Sequence, residues 1–279
     1  MSLRGSAPGT SRPLRRGRPE ELLTPEEVLG DLLAGIGPLP SQPLPLATCA
    51  GLVVAHPVRA PSSLPRFTNS AMDGFALRHE DGVGPRRLVG RALAGEPWSG
   101  RVGVGEAVAV ATGAVLPDGA DTVVPCEMAS VHGETVEPQA LSMRQWANVR
   151  RVGEVATPGD VLVPAGFTLG AGQLAICAAA GVATVEVHPR PVVAILPTGT
   201  EVRAPGEPLG PGGIHDAVTI PLVALLEELG AVVRAHHPVP DDRPAIMAAL
   251  RVATDEADLV ITVGGVSVGE RDLVKDLNS

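Results

Sequence analysis

The chain has 279 residues, enough for one large or two smaller domains, and its 44% hydrophobic content is enough to bury sizeable cores. Only 2% of residues are aromatic and none is Tyr, so those cores must be built from Val, Leu, Ala and Ile. A net charge of −9 offers no basic footprint for nucleic acid, and no run approaches the roughly 18 apolar residues that span a membrane.

Residues 1–21 read as a disordered basic tail carrying Arg12, Arg15, Arg16 and Arg18; no apolar stretch follows, so a secretory leader is not expected. At Thr24-Pro-Glu-Glu-Val-Leu a helix starts, with Thr24 as N-cap, Pro25 in the first position and acids in the first turn. Val28, Leu29, Leu32 and Leu33 give it an apolar stripe that ends near Gly35. From Gly51 to about Pro125, short Val, Leu and Ala runs alternate with Gly and Pro, which predicts a β-rich domain. Its clearest strands are 105–112 and 120–125, and a further one ends at Asp160-Val-Leu-Val-Pro164. The Ala-rich segment Leu174–Ala180 predicts a helix closing at Gly181. The three cysteines, Cys49, Cys126 and Cys177, are far apart and read as small buried hydrophobes of a reducing cytoplasm.

After Pro191 the pattern changes. Strands at 191–196, 231–234 and 258–263 alternate with helices at 219–229 and 243–253, the signature of a doubly wound parallel sheet. Ligands in such sheets sit at the carboxyl ends of strands, which here carry Thr198-Gly199 and Gly264-Gly265.

Four clusters carry groups suited to chemistry. Asn69-Ser70-Ala71-Met72-Asp73-Gly74 puts an amide, a hydroxyl and a carboxylate at one turn, which a self-satisfying Asx turn would also explain. Thr112-Gly113 joins two strand-like runs and can offer N–H groups and a hydroxyl to an anionic oxygen, although plain turn chemistry explains it too. Thr198-Gly199-Thr200-Glu201 follows a buried strand; its Glu could be a metal ligand or base, or simply solvated. The strongest is Gly264-Gly265-Val-Ser267-Val-Gly269-Glu-Arg-Asp272. Its glycine-rich loop could line an oxyanion site, with Asp272 and Asp241 as hard oxygen ligands for Mg²⁺. Helix capping by Asp241 is the alternative. The seven histidines show no metal-ligand spacing, and His236-His237 falls in a strand-to-loop transition.

In order and spacing these segments, together with Arg150-Arg-Val-Gly-Glu154, resemble the molybdopterin molybdenumtransferases, the MoeA and gephyrin E-domain family, from about residue 22 onward. The resemblance implies an α/β and β multidomain, elongated fold. Residues 22–60 would be an N-terminal helix, packing back onto the α/β domain, plus the first segment of a linker domain. Residues 61–159 would be an inserted β-rich domain, 160–186 the second linker segment, and 187–279 an incomplete α/β domain that binds molybdopterin. It further implies a cytoplasmic homodimer whose active site lies between the α/β domain and the β-rich domain of the partner subunit. A molybdopterin adenylyltransferase and molybdoenzymes would be further partners, with no nucleic acid or membrane involved.

The implied reaction takes adenylylated molybdopterin and molybdate, inserts molybdenum at the dithiolene and releases AMP with Mg²⁺. By matching position, Asp73 and Thr112 would belong to the pterin or nucleotide site, and Glu201 to the same cleft. Asp241 and Asp272 would hold Mg²⁺, and Ser267 would touch molybdate. Asn69, Ser70, Gly113, Thr198, Gly199, Asp216, Gly264, Gly265 and Gly269 would complete the binding positions.

The sequence also departs from the family pattern. Thr68 and Val155 stand where the family has Asp, Pro197 replaces Ser, Thr200 takes the place of an Asp, and Ala217-Val218 replaces Ser-Asn. The loop that supplies the family's molybdate-neutralising lysines is not in the sequence, which therefore reads as a C-terminally truncated member. These departures leave open an alternative: an impaired family member that binds pterin or dimerises with a complete homologue.

Overall fold

A computed structural model describes residues 24–139 and 144–265. The chain divides into two compact units, Pro43–Val187 and the remainder, Met1–Gln42 with His188–Ser279.

The first element is helix α1 (Pro25–Ala34), closed at its start by a reciprocal capping box. The Thr24 hydroxyl accepts from Glu27 N–H at 3.3 Å, and the Glu27 carboxylate accepts from Thr24 N–H at 2.8 Å. The stripe predicted for this helix is present but not covered: Val28, Leu29, Leu32 and Leu33 are all exposed, as is every other residue of α1.

In Pro43–Val187 the strands are short, as its Gly and Pro content requires. They are β1 (Gln42–Pro45), β2 (Val53–Val54), β3 (Val58–Arg59), β4 (Asn69–Ser70), β5 (Gly74–Leu77), β6 (Arg86–Ala92) and β7 (Glu106–Val110). Then come β8 (Thr122–Pro125), β9 (Ala129–His132), β10 (Thr135–Pro138), β11 (Val149–Arg150), β12 (Val161–Val163), helix α2 (Ala171–Ala179) and β13 (Thr184–His188).

The central six-stranded sheet runs β8-β5-β7-β6-β10-β9. Its two-residue period is visible in burial. Ala76, Val108, Val110 and Val123 enter a core that Trp98 partly covers, while Phe75, Leu77, Ala107 and Val124 enter a second core with Val136. Gly74 lets β5 approach β8 closely, since a Cβ there would lie 2.1 Å from the Val124 carbonyl oxygen. Segments on either side of this sheet pair with each other, β3 with β12 and β13 between β1 and β2. They share a third core containing Cys49, Val54, Val163, Leu169, Cys177 and Val187. Cys126 departs from the expectation of buried thiols: it is exposed, at the end of β8 where the strand turns.

The second unit continues through β14 (Val192–Pro197), β15 (Val202–Arg203), β16 (Ile214–His215), α3 (Thr219–Glu228), β17 (Val232–Ala235), α4 (Arg243–Glu256) and β18 (Leu259–Val263). Its main sheet is parallel in the order β17-β14-β18, with Ile195 opposite both Ala235 and Ile261. The five predicted elements of this region all form, within a few residues of their expected limits. The order reverses between β14 and β18, and with the right-handed crossovers that parallel strands take this places α3 and α4 on opposite faces. The central strand β14 is nearly all buried, which explains its unbroken Val-Val-Ala-Ile-Leu sequence.

Candidate functional site

Three carboxylate–threonine pairs involve acids singled out by sequence: Asp73–Thr112 in Pro43–Val187, and Asp241–Thr200 and Asp216–Thr219 in the other unit. In Pro43–Val187, the Asp73 Oδ1 accepts the Thr112 backbone N–H at 2.7 Å and its hydroxyl at 3.0 Å. The backbone N–H first, and the hydroxyl second, hold the Asp73 carboxyl below its ordinary range. Asp73 is fixed from behind, because its carbonyl accepts the Cys126 N–H and Gly74 follows it into the crowded start of β5.

Asn69 and Ser70 lie beneath this pair and serve the turn itself. The Asn69 amide donates to the Phe67 carbonyl at 3.1 Å, and the fully buried Ser70 hydroxyl donates to the Met72 carbonyl at 2.6 Å. Gly113 donates its N–H to the Ser70 carbonyl, tying the Thr112 turn to the Asp73 turn. Thr68, one of the departing positions, accepts the Val152 N–H through its hydroxyl. Val155, another, is 61% exposed.

In the other unit, the carboxyl ends of β14 and β18 meet at the order reversal. Thr198 is buried, its N–H and hydroxyl both directed to the Val263 carbonyl. Gly199 donates to the Val239 carbonyl. Gly264 has φ +93, and a Cβ on it would stand 2.7 Å from the Thr198 carbonyl oxygen, so only glycine fits where β18 leaves the sheet. Gly265, at φ +66, continues the same left-handed turn.

Asp241 follows β17 at the same edge. Its Oδ2 accepts the Thr200 N–H at 3.1 Å and lies 3.3 Å from the Thr200 hydroxyl, and that hydroxyl accepts the Asp241 N–H at 3.1 Å. The capping alternative for Asp241 is therefore corrected. Asp242, its neighbour, is the N-cap of α4 and accepts from Ala245 N–H at 3.1 Å, because α4 begins one residue later than that alternative needs. Thr200 enters the sequence reading only within its turn and as a departure from the family's Asp; its pairing with Asp241 is seen only in the fold.

Thr200 and Glu201 line an open polar groove with Arg203 and the glycine-rich turn Gly210–Gly213. Asp216 works at the start of α3: its carboxylate accepts the N–H of Val218 and Thr219 and the Thr219 hydroxyl. Burial pushes its pKa up, but the hydroxyl and N–H of Thr219 and the N–H of Val218 outweigh this and leave it lowered. Among the described residues no group of three or more His, Cys, Asp or Glu side chains could hold a metal ion. Ser267, Gly269 and Asp272, the remainder of the predicted anion and metal site, lie outside the described residues.

The chain is similar to known proteins over most of its length. The family model for the MoeA N-terminal region, domains I and II, matches residues 23–181, over half the chain. The chain belongs to the MoeA family. A second model, for a probable molybdopterin-binding domain, matches residues 194–278. Among curated relatives, molybdopterin molybdenumtransferase 2 of Mycobacterium tuberculosis is 35% identical over 260 residues, 90% of this chain and 63% of the relative. The molybdopterin molybdenumtransferase of Haemophilus influenzae is 34% identical over 258 residues, 91% of this chain and 64% of its own length. The chain thus spans less than two thirds of the length of these relatives. Two crystal structures of the molybdopterin biosynthesis MoeA protein from Pyrococcus horikoshii superpose with TM-scores of 0.75 and 0.71, at 27% and 28% identity. They cover 91% and 80% of this chain, and 67% and 61% of theirs. The MoeA-like architecture read from the sequence, a β-rich insertion followed by a parallel α/β region, is the architecture found.

Proposed function

We propose that this MoeA-family chain acts in molybdenum cofactor biosynthesis, inserting molybdate into adenylylated molybdopterin with Mg²⁺-dependent release of AMP. The observation that carries this reading is the coincidence of a matched MoeA family model with Asp73–Thr112 and Thr200–Asp241, an exposed and a half-buried acid, each held in place by a threonine.

A pterin presents amide and amine N–H donors, and an ionised carboxylate is their matched acceptor. Asp73 is kept ionised by Thr112, so it suits that role without an added proton. At the other pair, Glu201 and Asp241 stand at a strand edge whose fold type receives phosphates. Two acids facing a phosphate repel it unless a cation lies between them. Asp241 offers a carboxylate oxygen of the kind a hard divalent ion takes, and Asp272 is proposed as its partner. When bound, Mg²⁺ would neutralise charge on the phosphate oxygens. The part of Asp241 is to orient oxygen donors, with Thr200 holding its carboxylate in place. Ser267 with Gly264, Gly265 and Gly269 is proposed to receive the oxyanion, and a cytoplasmic homodimer belongs to the same reading. Molybdopterin adenylyltransferase and molybdoenzymes are the proposed upstream and downstream partners.

Purified chain supplied with adenylylated molybdopterin, molybdate and Mg²⁺ should release AMP, and EDTA should stop that release. A second reading is favoured by the exposed apolar side chains of Val155 and Val218, which stand where the family pattern is polar. In that reading the chain binds pterin nucleotide without turnover, as a partner of a complete homologue. Retained pterin binding with no AMP release would decide for it.

A further inference from the structure

Arg203 stands beside the Thr200–Asp241 pair without belonging to it. It lies on β15, which β16 holds in parallel register: Ile214 N–H donates to the Glu201 carbonyl at 2.9 Å and Asp216 N–H to the Arg203 carbonyl at 2.8 Å. Its Nη1 donates to the Thr200 and Val202 carbonyls, both at 2.8 Å. One nitrogen thus ties the guanidinium to the turn that grips Asp241, and the N–H groups of Nη2 and Nε remain for another acceptor.

Among the described residues no carboxylate forms an ion pair with this guanidinium, although three acids lie in the neighbouring segments. Each of those acids is engaged elsewhere. Asp241 accepts from Thr200, Asp216 accepts from the start of α3, and Glu201 carries its Oε1 against Gly199, 3.1 Å from where a Cβ on that glycine would stand. Arg203 is therefore a cation left without a counter-charge, in the groove that it lines with Thr200, Glu201 and the Gly210–Gly213 turn. That turn is closed by Gly213 N–H donating to the Gly210 carbonyl at 3.0 Å, and Gly212, at φ +78, has open space where a side chain would stand. A bare backbone there leaves the groove open to a ligand.

A guanidinium fixed through one nitrogen, with its other N–H groups unspent, suits a tetrahedral oxyanion: the planar fork meets two oxygens and neutralises their charge. The groove has a volume of about 230 Å³. Sites that enclose a whole drug-sized ligand run to roughly 300–1,000 Å³, so this one suits an anionic group and not a complete pterin nucleotide. We propose that Arg203 is the anion anchor of this groove, taking a tetrahedral oxyanion, phosphate monoester or molybdate, through Nη2 and Nε. This deepens the proposed function and rests on it, by assigning to one residue the positive charge that the anionic group of that substrate meets.

Titration calorimetry of the full chain with AMP, inorganic phosphate and molybdate gives the test, run on the unaltered chain, Arg203→Met and Arg203→Lys, with adenosine as the uncharged control. Urea midpoints report whether each variant is folded. AMP or molybdate should bind the unaltered chain, and Arg203→Met should weaken that binding about tenfold, because a charged fork is lost. Arg203→Lys should fall between the two, since it keeps the charge without the fork. Adenosine should be indifferent to either change. Loss of affinity for AMP and phosphate names a phosphate as the occupant, and loss for molybdate alone names the metal oxyanion. Should Arg203→Met fail to fold, the affinities of Arg203→Lys decide in its place. Anion affinities equal in the folded variants and the unaltered chain, or no anion bound by the unaltered chain, would overturn the anchor. AMP release with an unchanged KM in Arg203→Met would also overturn it and leave the proposed function standing. Anion binding that depends on Arg203 in a chain that releases no AMP supports the anchor and counts against turnover instead.

Discussion

Asp73 and Thr112 are 39 residues apart in sequence, yet one carboxylate oxygen of Asp73 takes both the N–H and the hydroxyl of Thr112. The two strands that bring them together, β5 and β7, are adjacent in the six-stranded sheet; β5 begins one residue after Asp73 and β7 ends two residues before Thr112. The sheet register therefore creates the pair, and neither turn would hold it alone.

Because Thr112 lowers the Asp73 pKa through two hydrogen bonds, the carboxylate is favoured in the folded state. The resulting stability is present above the unfolded pKa of Asp and is lost as pH falls through the lower folded value. Thr112→Val removes the hydroxyl and keeps the backbone N–H, so the Asp73 pKa should rise part of the way back. NMR titration of the Asp73 carboxyl carbon would measure this, and an unchanged midpoint in Thr112→Val would show that the hydroxyl is not bound in solution.

Gly74 should tolerate no side chain. A Cβ there meets the Val124 carbonyl oxygen at 2.1 Å, so Gly74→Ala must separate β5 from β8 and should cost about 2 kcal/mol or more. Gly172, in the first turn of α2, has nothing within 4 Å of its would-be Cβ, and Gly172→Ala should stabilise by about 0.5 kcal/mol. Urea midpoints of the two variants should move in opposite directions; a shift of the same sign would mean that β5 and β8 can part freely.

The parallel region was legible because each of its signals is local. A five-residue apolar run, a glycine stop after Leu229 and the proline in α4 each fix one element without long-range help. In the β-rich unit the residue types indicated strands, but the pairing order β8-β5-β7-β6-β10-β9 depends on contacts between distant segments, which no local pattern carries. The same holds for the candidate site. Asp73, Thr112 and Asp241 could be named from their motifs, whereas Thr200 as the partner of Asp241 needed the fold.

The neighbouring acids Asp241 and Asp242 should separate cleanly by experiment. Asp242→Ala removes the α4 N-cap and should cost about 1 kcal/mol of stability with little effect on metal dependence. Asp241→Asn leaves that cap intact and should raise the Mg²⁺ concentration needed for AMP release by tenfold or more, about 1.4 kcal/mol. Urea denaturation and Mg²⁺ titration of both variants test the pair. Equal Mg²⁺ dependence in Asp241→Asn and the unaltered chain would remove Asp241 from the proposed metal site.

The cysteines offer a test of the packing itself. Burial pushes the thiol pKa of Cys49 and Cys177 up, with the charge of Cys49 adding to the effect on Cys177, so neither forms thiolate readily. Both are fully buried in the core shared by the segments on either side of the six-stranded sheet, whereas Cys126 is exposed. The native chain should therefore react with 5,5′-dithiobis(2-nitrobenzoate) at one thiol, and the urea-unfolded chain at all three. Because burial disfavours the thiolate, the fold bears no penalty from these thiols below the unfolded thiol pKa and loses stability as pH rises from there through the raised folded value. The two slow thiols should accordingly become reactive only through opening of that core, at a rate set by unfolding and not by the thiolate fraction. Immediate reaction of a second thiol in the native chain would show that the core around Cys49 and Cys177 is open to solvent.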